Sequence, residues 1–123
     1  MAAGIYNFTI EQGATFTRTF KYKDSTGASL PISNNASINM QIRETIGSAE
    51  PVPNGTFKSG SGFILSTNTE DNVQNQFTLV IPAATSSNFS FTTAVYDIEL
   101  IESNVTTRLL QGKIKLSKEV TRL

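Results

Sequence analysis

From Ala36 to Arg43 the chain reads ASINMQIR, and polar and apolar residues alternate at every step. Ala36, Ile38, Met40 and Ile42 fall on one side, and Ser37, Asn39, Gln41 and Arg43 on the other. Successive side chains of a strand point to opposite faces, so this period of two predicts a β-strand with one buried and one wet face. The same rhythm returns in QFTLVI, with Phe77, Leu79 and Ile81 inward. It returns again in VYDIELI, which turns Tyr96, Ile98 and Leu100 inward and Asp97 and Glu99 outward. In TRLLQGKIKLS, Ile114 and Leu116 face in, Lys113 and Lys115 face out, and Gly112 marks a bulge or a close backbone approach.

Earlier in the chain, IYNFTI places Tyr6, Phe8 and Ile10 on one face. ATFTRTFKYK separates Phe16, Phe20 and Tyr22 from Thr15, Thr17 and Thr19. The short EQG between these two runs predicts a hairpin. DSTG at 24–27 is a turn, FILST at 63–67 a further strand, and NTEDN at 68–72 a polar turn. Pro82 suits the first position of a helix, and the residues after it can make one helical turn. With 123 residues the chain is one domain, 1–123. The fold expected is all-β: an antiparallel β-sandwich, immunoglobulin-like or a partly open barrel, of about seven strands with at most one short helical turn.

The composition narrows the chemistry. The sequence holds no Cys, and neither His nor Trp occurs in it. A Ser–His–Asp or Cys–His nucleophile is therefore excluded, and a zinc site is left without its usual ligands. Ten basic residues balance ten acidic ones, which argues against a nucleic-acid partner. No run of apolar residues reaches the length of a membrane helix, so no membrane is expected. The opening MAAGIYNFTI lacks the charge and apolar stretch of a signal peptide, so synthesis in the cytoplasm is expected. No cofactor motif stands out. The Gly60–Gly62 pair has no helix after it and is no phosphate cradle.

Two acidic groupings offer chemistry. Asp97 and Glu99 share a face, and paired carboxylates can cleave glycosides; a solvated strand face accounts for them better. Glu70 and Asp71, beside Asn68 and Asn72, offer oxygen ligands, but their spacing is not that of a calcium loop. The Thr15, Thr17 and Thr19 row reads as a solvent face. Lys113 and Lys115 read as an edge strand guarded by lysines.

Residues 44–62, ETIGSAEPVPNGTFKSGSG, read as one long loop with a short extended piece at Thr56–Lys58. Loops of this length tend to be functional or disordered. Ile46, Pro51, Val52, Pro53 and Phe57 within it, with Lys113 and Lys115, form the docking surface expected from the sequence.

Three stretches together resemble a known group. They are the opening FTIEQGATFTRTF from Phe8 to Phe20, the MQIR strand from Met40 to Arg43, and YDIEL with TRLLQGKIKLSKEVTR between Tyr96 and Arg122. The pattern resembles small β-sandwich virion proteins of tailed bacteriophages. It is similar to the N-terminal domain of upper baseplate proteins of siphophages and to small structural proteins of T4-like marine phages. The resemblance implies a non-enzymatic virion structural protein, a tail or baseplate adaptor or accessory module, docking onto other phage virion proteins. In the baseplate proteins a longer receptor-binding part often follows this domain, and here the sequence ends at Leu123, which favours the accessory role. The neutral charge leaves self-association open. A capsid decoration protein is one alternative. A carbohydrate-binding module attaching the particle to host polysaccharide is the other, although most Phe and Tyr fall on core faces instead of forming a sugar platform.

Overall fold

The computed structural model describes residues 4–120. Nine strands and one short helix follow in order: β1 (Gly4–Ile5), β2 (Phe8–Glu11), β3 (Phe16–Lys21), β4 (Ser37–Arg43), β5 (Thr56–Ser59), β6 (Gly62–Asn68), β7 (Val73–Ile81), α1 (Ala83–Ser86), β8 (Thr93–Glu102) and β9 (Val105–Ser117). They form one mixed sheet in the order β1-β9-β8-β4-β5-β6-β7-β3, with β2 also on β9. The two ends of this order meet. The Phe8 ring on β2 stacks on Phe16 of β3 at 4.9 Å, and Tyr6 meets Phe20 edge-on at 5.7 Å. The sheet thus curls into an all-β sandwich that is open along one seam, where aromatic rings and not backbone hydrogen bonds join β2 to β3.

The alternating runs do what their period requires. Ile38, Met40, Ile42, Phe77, Leu79, Ile81, Tyr96, Ile98, Leu100, Ile114 and Leu116 are all buried in one apolar core. Burying such side chains is the main favourable term in folding, roughly 1.5–3 kcal/mol for each large apolar group. β8 pairs antiparallel with β4 on one side and with β9 on the other, and this trio forms the middle of one wall.

Three expectations change. The EQG hairpin does not form. β2 runs parallel to β9, with Phe8 opposite Ile114, while β3 pairs antiparallel with β7, with Phe16 opposite Ile81. The apolar faces of both runs are satisfied by distant strands, and the turn that separates them is held by Gln12, whose amide donates to the Phe89 carbonyl at 2.8 Å.

Secondly, 44–62 is less open than expected, although the extended piece expected at Thr56–Lys58 does form, as β5. β5 lies within it, paired to β4 through Met40 and Phe57, and the open part closes back on β4. The Val52 N–H donates to the Ile42 carbonyl and the Ile42 N–H to the Gly55 carbonyl, both at 2.8 Å. Val52 and Phe57 are core residues at 8% and 5% exposure. They leave the expected docking surface because each is the single apolar side chain that ties its segment to the core. The Gly60–Gly62 pair makes the corner between β5 and β6: both residues have positive φ, and a Cβ on Gly62 would stand 2.8 Å from the Phe57 ring.

Thirdly, Lys113 and Lys115 do not lie on an edge. β9 has β8 on one flank and β1 and β2 on the other, so its lysines guard no open backbone. Gly112 does serve a close approach: a Cβ there would sit 2.1 Å from the Tyr6 carbonyl oxygen. The bare backbone lets Tyr6 and Asn7 lie against β9, where the Asn7 Oδ1 accepts from the Lys113 N–H at 2.8 Å. Pro82 stands just ahead of α1, at its N-cap position.

Candidate functional site: a groove on the outer face of the sheet

The outer face of β4, β8 and β9 is built by residues that the alternation turns away from the core. Arg43, Val95 and Lys113 lie in one cross-strand row, and Gln41, Asp97 and Gln111 in the next. A third row sets Glu99 beside Arg108 and Asn39, with Lys58 of β5 beyond. Ile5 on β1 sits opposite Gln111 and extends the second row. Together with Ile46, and without Asn39 and Lys58, which lie beyond it, these residues line a groove of about 630 Å³.

Two isoleucines flank it. Ile46 is 89% exposed and Ile5 is 76% exposed. Ile46 is not on a slack segment. It lies in a turn closed by the Ser48 N–H on the Thr45 carbonyl and by the Thr45 N–H on the Ser48 Oγ, both at 3.1 Å. The Arg43 guanidinium braces that turn against the sheet, donating to the Ser48 carbonyl and to the Gln41 Oε1 at 2.8 Å each. An aliphatic side chain is thereby held in water by a charged strut from the neighbouring strand.

The groove floor includes Tyr96. Its phenol donates to the Tyr6 carbonyl at 2.5 Å, and burial, with the nearby Tyr6, pushes its pKa far above the ordinary tyrosine value. It stays neutral at any physiological pH, so it is a structural strut and no proton donor. Along one wall Asp97 meets the Arg108 guanidinium at 3.4 Å. Both side chains remain largely in solvent, where such a pair contributes about 0–1 kcal/mol. The outer face carries Arg43, Lys58, Arg108, Lys113 and Lys115 against Asp97, Glu99 and, on β2 opposite Ser117, Glu11, five cations to three anions. The zero net charge of the chain thus conceals a face with a surplus of two positive charges.

The residues expected to dock divide three ways. Ile46 and Lys113 come together in the groove. Lys115 lies on the same face but beyond it, opposite Thr93 and Thr9. Pro51 is half-buried, and Pro53 occupies the second position of a turn closed by the Gly55 N–H on the Val52 carbonyl at 2.9 Å, with Asn54 at φ 61° behind it. Neither proline lines the groove. Val52 and Phe57 are in the core.

The sequence reading missed the polar groove residues Arg43, Gln41 and Arg108, which carry no mark that sets them apart from any solvated strand face, and the apolar Ile5 and Val95. The signal of the last two was phase: both are apolar residues on the polar side of an alternating run, as Ile101 is at 38% exposure. The acidic turn is otherwise occupied. Glu70 holds Lys21 at 3.0 Å, and Asp71 accepts from the Ser29 hydroxyl, which lowers its pKa. The two carboxylates are drawn to separate partners and do not converge on one ion.

No family model matches the chain, and no curated protein matches it. Among solved structures it is similar to the extracellular fragment, stalk region included, of novel immune-type receptor 11 from Ictalurus punctatus. That likeness has 13% identity and a TM-score of 0.42, over 99% of this chain and 90% of that one. At that score the likeness carries no argument about the role of this chain.

Proposed function

We propose that this chain is a non-enzymatic structural protein of a tailed-bacteriophage particle, acting in the tail or baseplate as an adaptor or accessory module. Its mechanism is docking. The observation that carries the reading is the groove, in which two exposed isoleucines, one held by Arg43, flank a basic strand face. Apolar anchors surrounded by polar and charged groups are how protein interfaces are commonly built. The resemblance of the Phe8–Phe20, Met40–Arg43 and Tyr96–Arg122 stretches to phage β-sandwich proteins supplies the setting.

Cryo-electron microscopy of the particle tests both parts. The density of the chain belongs in the tail, with the outer face of β4, β8 and β9 against a neighbouring protein. Density on the capsid would replace the tail role by decoration. Absence of the chain from purified particles would end the virion reading.

A further inference from the structure

The sheet has two ends, and they are protected very differently. At one end β1 has two residues and β2 four, and the Tyr6–Asn7 step between them is already bonded to Tyr96 and to the Lys113 N–H. Short, interrupted strands are poor templates for pairing. At the other end β3 runs unbroken from Phe16 to Lys21, without Pro or Gly. It bonds to β7 on one side, and among the described residues its other edge has no backbone partner.

Charged side chains usually guard such an edge. Here both cations of β3 already have partners within the chain. Arg18 lies over the rings of Tyr6 and Phe16, at 5.6 and 5.9 Å from their centroids, along the seam inside the molecule. Lys21 reaches Glu70 at 3.0 Å, in the turn between β6 and β7. The edge is left with threonines and aromatic flanks.

We propose that β3 is a self-association edge, at which two copies pair antiparallel about a two-fold axis through Thr19. Opposite residues in such a pair must share a face, so the axis passes through a residue. Centred on Thr19, Thr17 stands opposite the second copy's Lys21, Arg18 opposite Phe20, and Thr19 opposite itself. No like charges meet, and threonine pairs are favourable neighbours across strands. Centred on Arg18, the two guanidinium groups would oppose each other. Centred on Phe20, the pairing shortens by a residue at each end. Isologous two-fold contact is the commonest form of protein self-association. The inference stands whether or not the chain belongs to a virion.

Sedimentation velocity across a concentration range, up to roughly millimolar, reads the association. The wild-type chain forms dimers, and amide exchange over 16–21 slows as the dimer fills. Thr17→Lys sets a lysine against the second copy's Lys21 twice per dimer and raises the dissociation constant about tenfold. The double variant Thr17→Lys with Lys21→Glu turns both contacts into opposite-charge pairs and restores dimerisation. Both sites are exposed, and the Lys21–Glu70 pair that the second substitution removes is a solvent-exposed one of small weight, so the monomer fold is kept. A chain that stays monomeric throughout overturns the proposal. So does a dimer indifferent to Thr17→Lys, or one that the second substitution fails to rescue.

Discussion

Along β8, Tyr96, Ile98 and Leu100 are buried, while Val95, Asp97 and Glu99, interleaved with them, stay partly in solvent. The two sets share one backbone and one hydrogen-bond ladder. Ile98 and Leu100 meet core atoms on every side and Tyr96 reaches from the core to the groove floor; the outer set meets a groove with Arg43, Arg108 and Lys113 around it. One strand therefore carries two separable properties. Its inner face makes the fold, and its outer face supplies the surface proposed for docking. Substitutions on the two faces should move different observables.

The largest effect on stability lies inside. Ile98→Ala should cost roughly 2–5 kcal/mol in chemical denaturation, the range for a large-to-small change at a fully buried site. A loss below about 1 kcal/mol would mean that the two faces are not distinct. Gly112→Ala comes next. Its Cβ would press on the Tyr6 carbonyl 2.1 Å away, so the β1–β2 segment must shift, at about 1–3 kcal/mol. Because Ile5 rides on that segment, this variant should also loosen the groove, which nuclear magnetic resonance shifts at Ile5 would report.

On the outer face the stability changes shrink. Asp97→Asn removes the pair with Arg108 and should cost no more than about 1 kcal/mol, with the difference fading in high salt. Ile46→Ser should stay within about 0.5 kcal/mol of wild type, since the side chain is already in water. Its incorporation into particles, measured by mass spectrometry, should nevertheless fall sharply. Unchanged incorporation would detach Ile46 from the proposed interface.

The inner face was legible in the sequence because alternation repeats across several strands, and each repeat confirms the facing of its neighbours. The outer face was legible only in part. Lys113 and Ile46 were flagged, but nothing local says that a residue in a turn after β4 lies over a strand fifty positions later; the Arg43 strut that holds the turn is local, and what brings the turn over β8 is the pairing of β4 with β8. The segment 44–62 misled for a related reason. Its Gly, Ser and Pro are turn formers, yet a lone Val52 and a lone Phe57 fix it to the core, and a single anchor has no period to detect. The parallel pairing of β2 with β9 was hidden as well, because a strand shows its facing in sequence and not its partner.

Lysine labelling tests the docking claim most directly, since lysines lie both on the outer face and away from it. Lys58 and Lys113 belong to the basic face, while Lys118 lies past the end of β9 and is exposed. Acetylation of the free chain should modify all three. In assembled particles the account predicts that Lys58 and Lys113 lose reactivity while Lys118 keeps it. Lys113 reacting equally in both states, or Lys118 protected in its place, would contradict it.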